Sequence, residues 1–159
     1  MMIFTDGGCS GNPGPGGWAY VIVDAKAFVI SLKLEDALGY IIEENCGAEA
    51  NTTNNRMELQ AVINALEAVK AMNKDRVPLE VFTDSQYVQK GMSQWILDWK
   101  NRGWRTSGKD PVKNQDLWQH LDALASGFSI TWRWVKGHAG NVFNERCDSL
   151  TQRAINSLK

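Results

Sequence analysis

Four carboxylates, Asp6, Glu58, Asp84 and Asp148, and one histidine, His138, sit where a chain of this pattern could do chemistry. Asp6 ends the run Met2-Ile3-Phe4-Thr5 and is followed by a glycine-dense stretch from Gly7 to Gly17; Asp84 ends Leu79-Glu80-Val81-Phe82-Thr83 in the same manner. Glu58 stands near the start of a helical pattern, about 100° round the axis from the apolar Leu59. Asp148 adjoins Cys147 on the apolar edge of a last helical pattern. Each acid taken alone has an ordinary use as a turn residue, a dipole partner, a helix cap or a solvated side chain. Taken together, acids gathered without cations would repel and shift one another's pKa values. Hard oxygen donors of this kind select Mg²⁺ or Mn²⁺ rather than zinc. Two such ions roughly 3.5–4 Å apart make a clamp for phosphodiester hydrolysis. Spacing alone does not make the four converge; the fold must. His138 lies in Lys136 to Asn141 between two glycines, an exposed loop position that assigns it no role by itself.

The elements that must position these residues follow from periodicity. Met2–Asp6 and Gly17–Val23, joined by the glycine turn, read as a hairpin, and Tyr40–Cys46 as a third strand completing a meander. Between them Asp24 to Gly39 fits strand and helix patterns alike and has the look of an insertion. Polar capping residues at 51–55 precede a helix whose Leu59, Val62, Ile63, Leu66 and Val69 define a buried face. Pro78 ends that unit, and Leu79–Thr83 is a short strand running into a strand-to-helix junction at Asp84-Ser85. From Gln86 to Trp118 the pattern is read as helical. It carries Trp95, Trp99, Trp104 and Trp118, with six basic residues against three aspartates. Trp95 and Trp99 are an i, i+4 pair suited to a local core, while the basic residues among the rings suit phosphate contact. Asn114–Leu124 is expected as a further helix, with Leu117, Leu121 and Leu124 inward. Phe128–Val135 alternates as the last strand, and a helix over 142–158 is expected to bury Phe143, Cys147, Leu150, Ala154 and Leu158.

Composition sets outer limits. At 159 residues and 43% hydrophobic content the chain fits one domain with its own core. No window has the length and apolarity of a membrane span, and no export or lipidation signal is seen. Cys9, Cys46 and Cys147 are scattered without zinc spacing and read as reduced thiols of a cytoplasmic protein. The net charge of −1, from 17 basic and 18 acidic residues, does not announce a nucleic acid; only an uneven distribution would.

Several ordered stretches carry a resemblance. Phe4-Thr5-Asp6-Gly7 with Gly11-Asn12-Pro13-Gly14-Pro15-Gly16-Gly17, Thr52 to Leu59, and Thr83-Asp84-Ser85-Gln86-Tyr87-Val88 are three of them. Trp95 to Trp104, Val135-Lys136-Gly137-His138 and Asn144-Glu145-Arg146-Cys147-Asp148 complete the series. In this order and spacing the sequence resembles the bacterial ribonuclease HI family, the type 1 ribonucleases H, over nearly its full length. The resemblance implies an α/β, ribonuclease H-like fold: a mixed five-stranded sheet, its first three strands antiparallel, flanked by helices. It implies a single domain over 1–159, with a basic protrusion at about 90–113 and an extended strand connection at 25–38. The implied activity is that of a hydrolase, an endonuclease cutting the RNA strand of RNA–DNA hybrids to 5′-phosphate and 3′-hydroxyl ends. Two Mg²⁺ ions would serve as cofactor, with Mn²⁺ as a substitute, in a monomer with no membrane partner. Carried over by position, Asp6, Glu58, Asp84 and Asp148 would be the metal ligands. Asp6 would bridge both ions, and Glu58 would also help place the 2′-hydroxyl. His138 would shuttle protons or help release product. Asn12, Asn54 and Gln86 would contact the minor groove, where the 2′-hydroxyl marks RNA. Thr53 would sit at a DNA phosphate, and Trp95, Lys100 and Trp104 would belong to the hybrid-gripping protrusion.

The chain departs from the family's pattern at Gly8, where Ser is frequent, at the longer 25–38 connection, and at Asn51, where some relatives carry a basic residue. Its neutral balance implies weaker non-specific binding than in basic relatives. Three other readings compete. A non-catalytic hybrid-binding module would lack at least one acid, and none is missing. A resolvase or transposase-like nuclease does not account for Asn12, Asn54, Gln86 and the basic stretch. A metal-binding or structural domain leaves the tryptophan-rich stretch and the His138 loop unexplained.

Overall fold

A computed structural model describes residues 1–26, 37–74, 76–136 and 141–158. Five strands form one sheet: β1 (Met2–Cys9), β2 (Gly14–Val23), β3 (Ile41–Thr52), β4 (Leu79–Thr83) and β5 (Ile130–Trp134). Their order is β3-β2-β1-β4-β5, with β1, β2 and β3 antiparallel and β4 and β5 added parallel to β1. The mixed sheet expected from the sequence is thus present. The first three strands run further than the pattern suggests, because the glycines and small polar residues at their ends still pair. Gly8 pairs with Gly17 and Cys9 with Gly16, and β3 continues past Gly47 to Thr52.

Both faces of the sheet are covered, which is why β1 reads as an unbroken apolar run rather than an alternation. Ile3, Ile22, Leu79 and Val81 face α1 (Asn54–Ala71) and later helices in one core. Met2, Phe4, Val21, Val23 and Phe82 face α5 (Val142–Asn156) in a second. There Phe4 stacks on Phe82 with ring centroids 4.8 Å apart and meets Phe143 at 5.3 Å. The α1 face is as expected, with Leu59, Val62, Ile63, Leu66 and Val69 all buried. Thr53 caps α1, its Oγ1 accepting from Arg56 N at 3.2 Å.

Between Gln86 and Trp118 the continuous helical reading is corrected. Helix α2 (Gln86–Lys90) passes through a π-helical turn, Gly91–Trp95, into α3 (Ile96–Asn101), and the chain then leaves the helix until α4 (Gln115–Ala125). Gly103 (φ 66°), Trp104 (φ 65°), Lys109 (φ 68°) and Asn114 (φ 57°) take left-handed conformations in the loop, which closes through a bridge between Arg105 and Pro111. Gly103 just past α3 is a helix-terminating signal that outweighed the spacing of the tryptophans. The rings do form a local core. Trp99 lies 5.9 Å from Trp95, 5.2 Å from Trp118 and 6.4 Å from Trp104, and Gly91 makes room for the Trp118 ring, which a Cβ there would strike. On α5 the expected burial of Leu158 is also corrected. It lies beyond the helix and is 42% exposed, while Ile155 closes the face instead. Most of the 25–38 connection lies outside the described residues, as does His138.

Candidate active site

Register puts two of the acids side by side. Thr5 pairs with Thr83 as the last rung between the parallel strands β1 and β4, so Asp6 and Asp84 occupy the next step. Glu58 is carried in by α1, whose start rests directly on β1. A Cβ on Gly7 would collide with the carbonyl carbon of Met57 and crowd the Glu58 nitrogen, so only glycine permits this approach. Asp148 comes from α5, which is seated on β1 by the buried Cys147, whose Sγ donates to Phe4 O at 3.2 Å.

Electrostatic coupling links Asp6 to Asp84 and Asp148, and Glu58 to Asp84 and Asp6. Burial first, then the charge of Asp84 and, after the opposing Thr151 hydrogen bond, that of Asp148 push the Asp6 carboxyl up to about 6; the Thr151 hydroxyl pulls the other way. Glu58 is pushed up to about 7, again by burial first and then by Asp84 and Asp6, against a hydrogen bond from Ser85. Half-buried carboxylates that raise one another's proton affinity are a site short of positive charge. All donors are oxygens, the set a hard divalent cation takes. Among the described residues no three His, Cys, Asp or Glu side chains form a ready-made cage.

A polar groove of about 390 Å³ is lined by Asn12, Pro13, Thr53, Asn55, Lys113 and Asn114. Asn54 Oδ1 accepts from Cys9 N at 2.7 Å, and Asn12 Oδ1 accepts from Asn54 N at 3.2 Å. With the two amide oxygens so engaged, each side chain keeps its NH₂ group as a donor. Gln86 is exposed in the first turn of α2. Arg56 grips Asp116 with both guanidinium nitrogens, at 3.1 and 2.9 Å, and reaches Asn114 at 3.3 Å, tying α1 to the base of the tryptophan-rich loop. Trp95, Lys100 and Trp104 are not gathered with the acids. Trp95 lines a second hollow with Trp99 and Arg102, Trp104 is half-buried, and Lys100 already pairs with Asp122 at 3.1 Å.

Ser85, Thr151 and Asn114 are partners that the sequence did not single out, whereas Lys113 is one of the six basic residues of the tryptophan-rich stretch. Ser85 carried a usable signal, a helix-capping serine directly after a strand-end Asp. Thr151, inside a helix, carried none.

Residues 1–156 match the RNase H family. The chain is 51% identical over 159 residues to "Ribonuclease H" of Aromatoleum aromaticum, covering all of this chain and 92% of that one. It is 50% identical over 155 residues to "Ribonuclease H" of Phenylobacterium zucineum, covering 98% and 90%. Among solved structures it is similar to LC9-RNase H1, described as a type 1 RNase H with the type 2 active-site motif, with a TM-score of 0.80 and 35% identity over 99% of this chain and 72% of that one. It is also similar to LC11-RNase H1 solved in complex with an RNA/DNA hybrid, with a TM-score of 0.72 and 26% identity over 99% and 97%.

Proposed function

The chain belongs to the RNase H family, and from that membership we propose that it hydrolyses the RNA strand of RNA–DNA hybrids as a monomeric endonuclease, leaving 5′-phosphate and 3′-hydroxyl ends. The observation that carries this reading is the convergence of Asp6 and Asp84 at adjacent strand ends with Glu58 and Asp148 brought in by α1 and α5. The four acids would hold two Mg²⁺ ions, with Mn²⁺ as a substitute. Bound there, the metal supplies activation of water and stabilisation of the leaving oxygen.

The protein's own groups supply the rest. Asp6, fixed in the central strand, would serve both ions, while Glu58 would reach a 2′-hydroxyl as well as a metal. Ser85 beside Glu58 and Thr151 beside Asp6 favour the ionised carboxylates, the Thr151 hydroxyl also donating to Cys147 O at 3.0 Å. The amide donors of Asn12 and Asn54, with the exposed Gln86, would suit the acceptors of a minor groove. Thr53 would contact a phosphate of the DNA strand in the polar groove that Lys113 and Asn114 also line. His138 would move a proton or help the product leave. Residues 90–113, with Trp95, Lys100 and Trp104, would form a basic protrusion gripping the hybrid at a distance from the reacting phosphate. The three cysteines are free and no helix among the described residues is long and apolar enough to cross a membrane, observations that suit a cytoplasmic enzyme.

The test is strand and duplex preference. With Mg²⁺, the labelled RNA strand of a hybrid should be cut internally to 5′-phosphate ends, and plain DNA duplex left intact. Nicking of the DNA duplex or of a four-way junction would favour the resolvase-like reading instead.

A further inference from the structure

The carbonyl of Asp84 sits where the chain leaves one hydrogen-bonding scheme for another. Strand β4 ends with Thr83, whose carbonyl accepts from Val135 N at 2.9 Å as the last bond of that ladder. The α2 helix begins with Ser85 as its cap: Ser85 O accepts from Gln89 N at 3.2 Å, its Oγ from Val88 N at 3.1 Å, and its own N donates to Thr83 Oγ1 at 3.0 Å. The Asp84 carbonyl lies between the two schemes, and the indole of Trp134 donates to it, Nε1 to O at 3.0 Å.

Trp134 is an odd choice for packing alone. Side chains alternate along β5, so Trp134 shares a face with Ile130 and Trp132, both of which lean on the core. Trp134 lies at the end of β5 beside Thr83 and is 45% exposed. An exposed edge position gains little from a large ring, whereas the indole N–H gains a specific partner at the residue that carries a site carboxylate.

We propose that Trp134 is a positioning residue: its indole N–H clamps the Asp84 carbonyl and so fixes the backbone from which the Asp84 carboxylate is aimed. The inference rests on the reading of Asp84 as a metal ligand. Groups that hydrogen-bond a ligating side chain directly typically matter by about ten- to a hundredfold in metal affinity or activity, and a clamp on the ligand's backbone is expected at the lower end of that range.

The experiment compares wild type with Trp134→Phe, which keeps a ring and removes the N–H. Steady-state kinetics on a hybrid, calorimetric Mg²⁺ titration and thermal unfolding are measured on both. The expected result is a kcat about tenfold lower and weaker Mg²⁺ binding, with KM for the hybrid within twofold and a similar melting temperature. Wild-type kcat and Mg²⁺ affinity in the variant would overturn the proposal. A loss confined to KM would do so too, making the ring a substrate contact. Should the variant fold poorly, the wild-type indole ¹H–¹⁵N resonance of Trp134 decides: it should shift on Mg²⁺ saturation, and a resonance that does not move contradicts the clamp. Wild type that neither binds Mg²⁺ nor cuts hybrid would instead bring down the functional reading beneath it.

Discussion

At the scale of single residues, the site is built from acids held in a place that suits their neutral forms. Asp6 rises from 3.8 to about 6 and Glu58 from 4.5 to about 7, burial being the leading cause for both. Between roughly pH 4 and 7 the folded, metal-free protein therefore keeps protons that the unfolded chain has released. Stability conferred by that difference is complete below about pH 4 and is lost as pH rises through 6 and 7. The metal-free melting temperature should accordingly fall from pH 5 to 7.5, with a shallower fall in Glu58→Gln, which cannot ionise. Mg²⁺ competes with those protons and should raise the melting temperature more at pH 7.5 than at pH 5. Thermal unfolding with and without Mg²⁺ checks both, and a Mg²⁺ gain equal at the two pH values would contradict the arrangement. These four acids were legible in the sequence as residues at strand ends and apolar borders. The hydroxyl beside Asp6 was not, because nothing in the spacing of Thr151 from Asp148 reveals that its side chain lies against another strand.

Elements, rather than residues, set the distances. The approach of α1 to β1 hangs on Gly7, where a methyl would meet the Met57 backbone; Gly8 next to it has its nearest neighbour, Asn54 Oδ1, at 3.8 Å, an ordinary contact. Gly7→Ala should thus cost about 1–3 kcal/mol in denaturant unfolding and sharply lower kcat by pushing Glu58 outward. Gly8→Ser should change stability by less than about 0.5 kcal/mol and leave kcat alone. Equal behaviour of the two variants would show that the helix approach is not what seats Glu58. Strand and helix cores were readable where one rule governed: β4 was read to the residue from Leu79 to Thr83, and all five apolar positions of the α1 face are buried. The readings failed where two signals conflicted. The stretch from Gln86 to Trp118 was read as helical, but Gly103 and Pro111 within it break a helix, and local backbone chemistry prevailed. Leu158 matched the α5 period but lies past its last turn, where periodicity no longer implies a buried face.

For the whole molecule, charge and topology decide what binds and where. With a net charge of −1, attraction to phosphate must come from a local concentration, and the loop after α3 carries Arg102, Arg105, Lys109 and Lys113. If Lys109 and Lys113 each meet a phosphate, replacing both with Gln should reduce the slope of log affinity against log salt by roughly two. Lys100→Gln should reduce it less, since that ammonium already faces Asp122. Fluorescence titrations of a hybrid across salt concentrations measure these slopes, and an unchanged slope would remove the loop from the interface. The sequence motifs implied the sheet through resemblance, whereas the meeting of Asp6 with Asp84 needed the parallel register of β1 and β4, a long-range pairing that local pattern does not encode. The central claim is that this meeting makes a metal-dependent hybrid nuclease. It is tested most directly by cleavage of a labelled RNA–DNA hybrid in Mg²⁺, with wild type beside Asp84→Asn. Cutting of the RNA strand that disappears in EDTA and in the variant, with hybrid binding retained, is the result predicted. Tight binding without cutting by wild type, in Mg²⁺ and again in Mn²⁺, would contradict it.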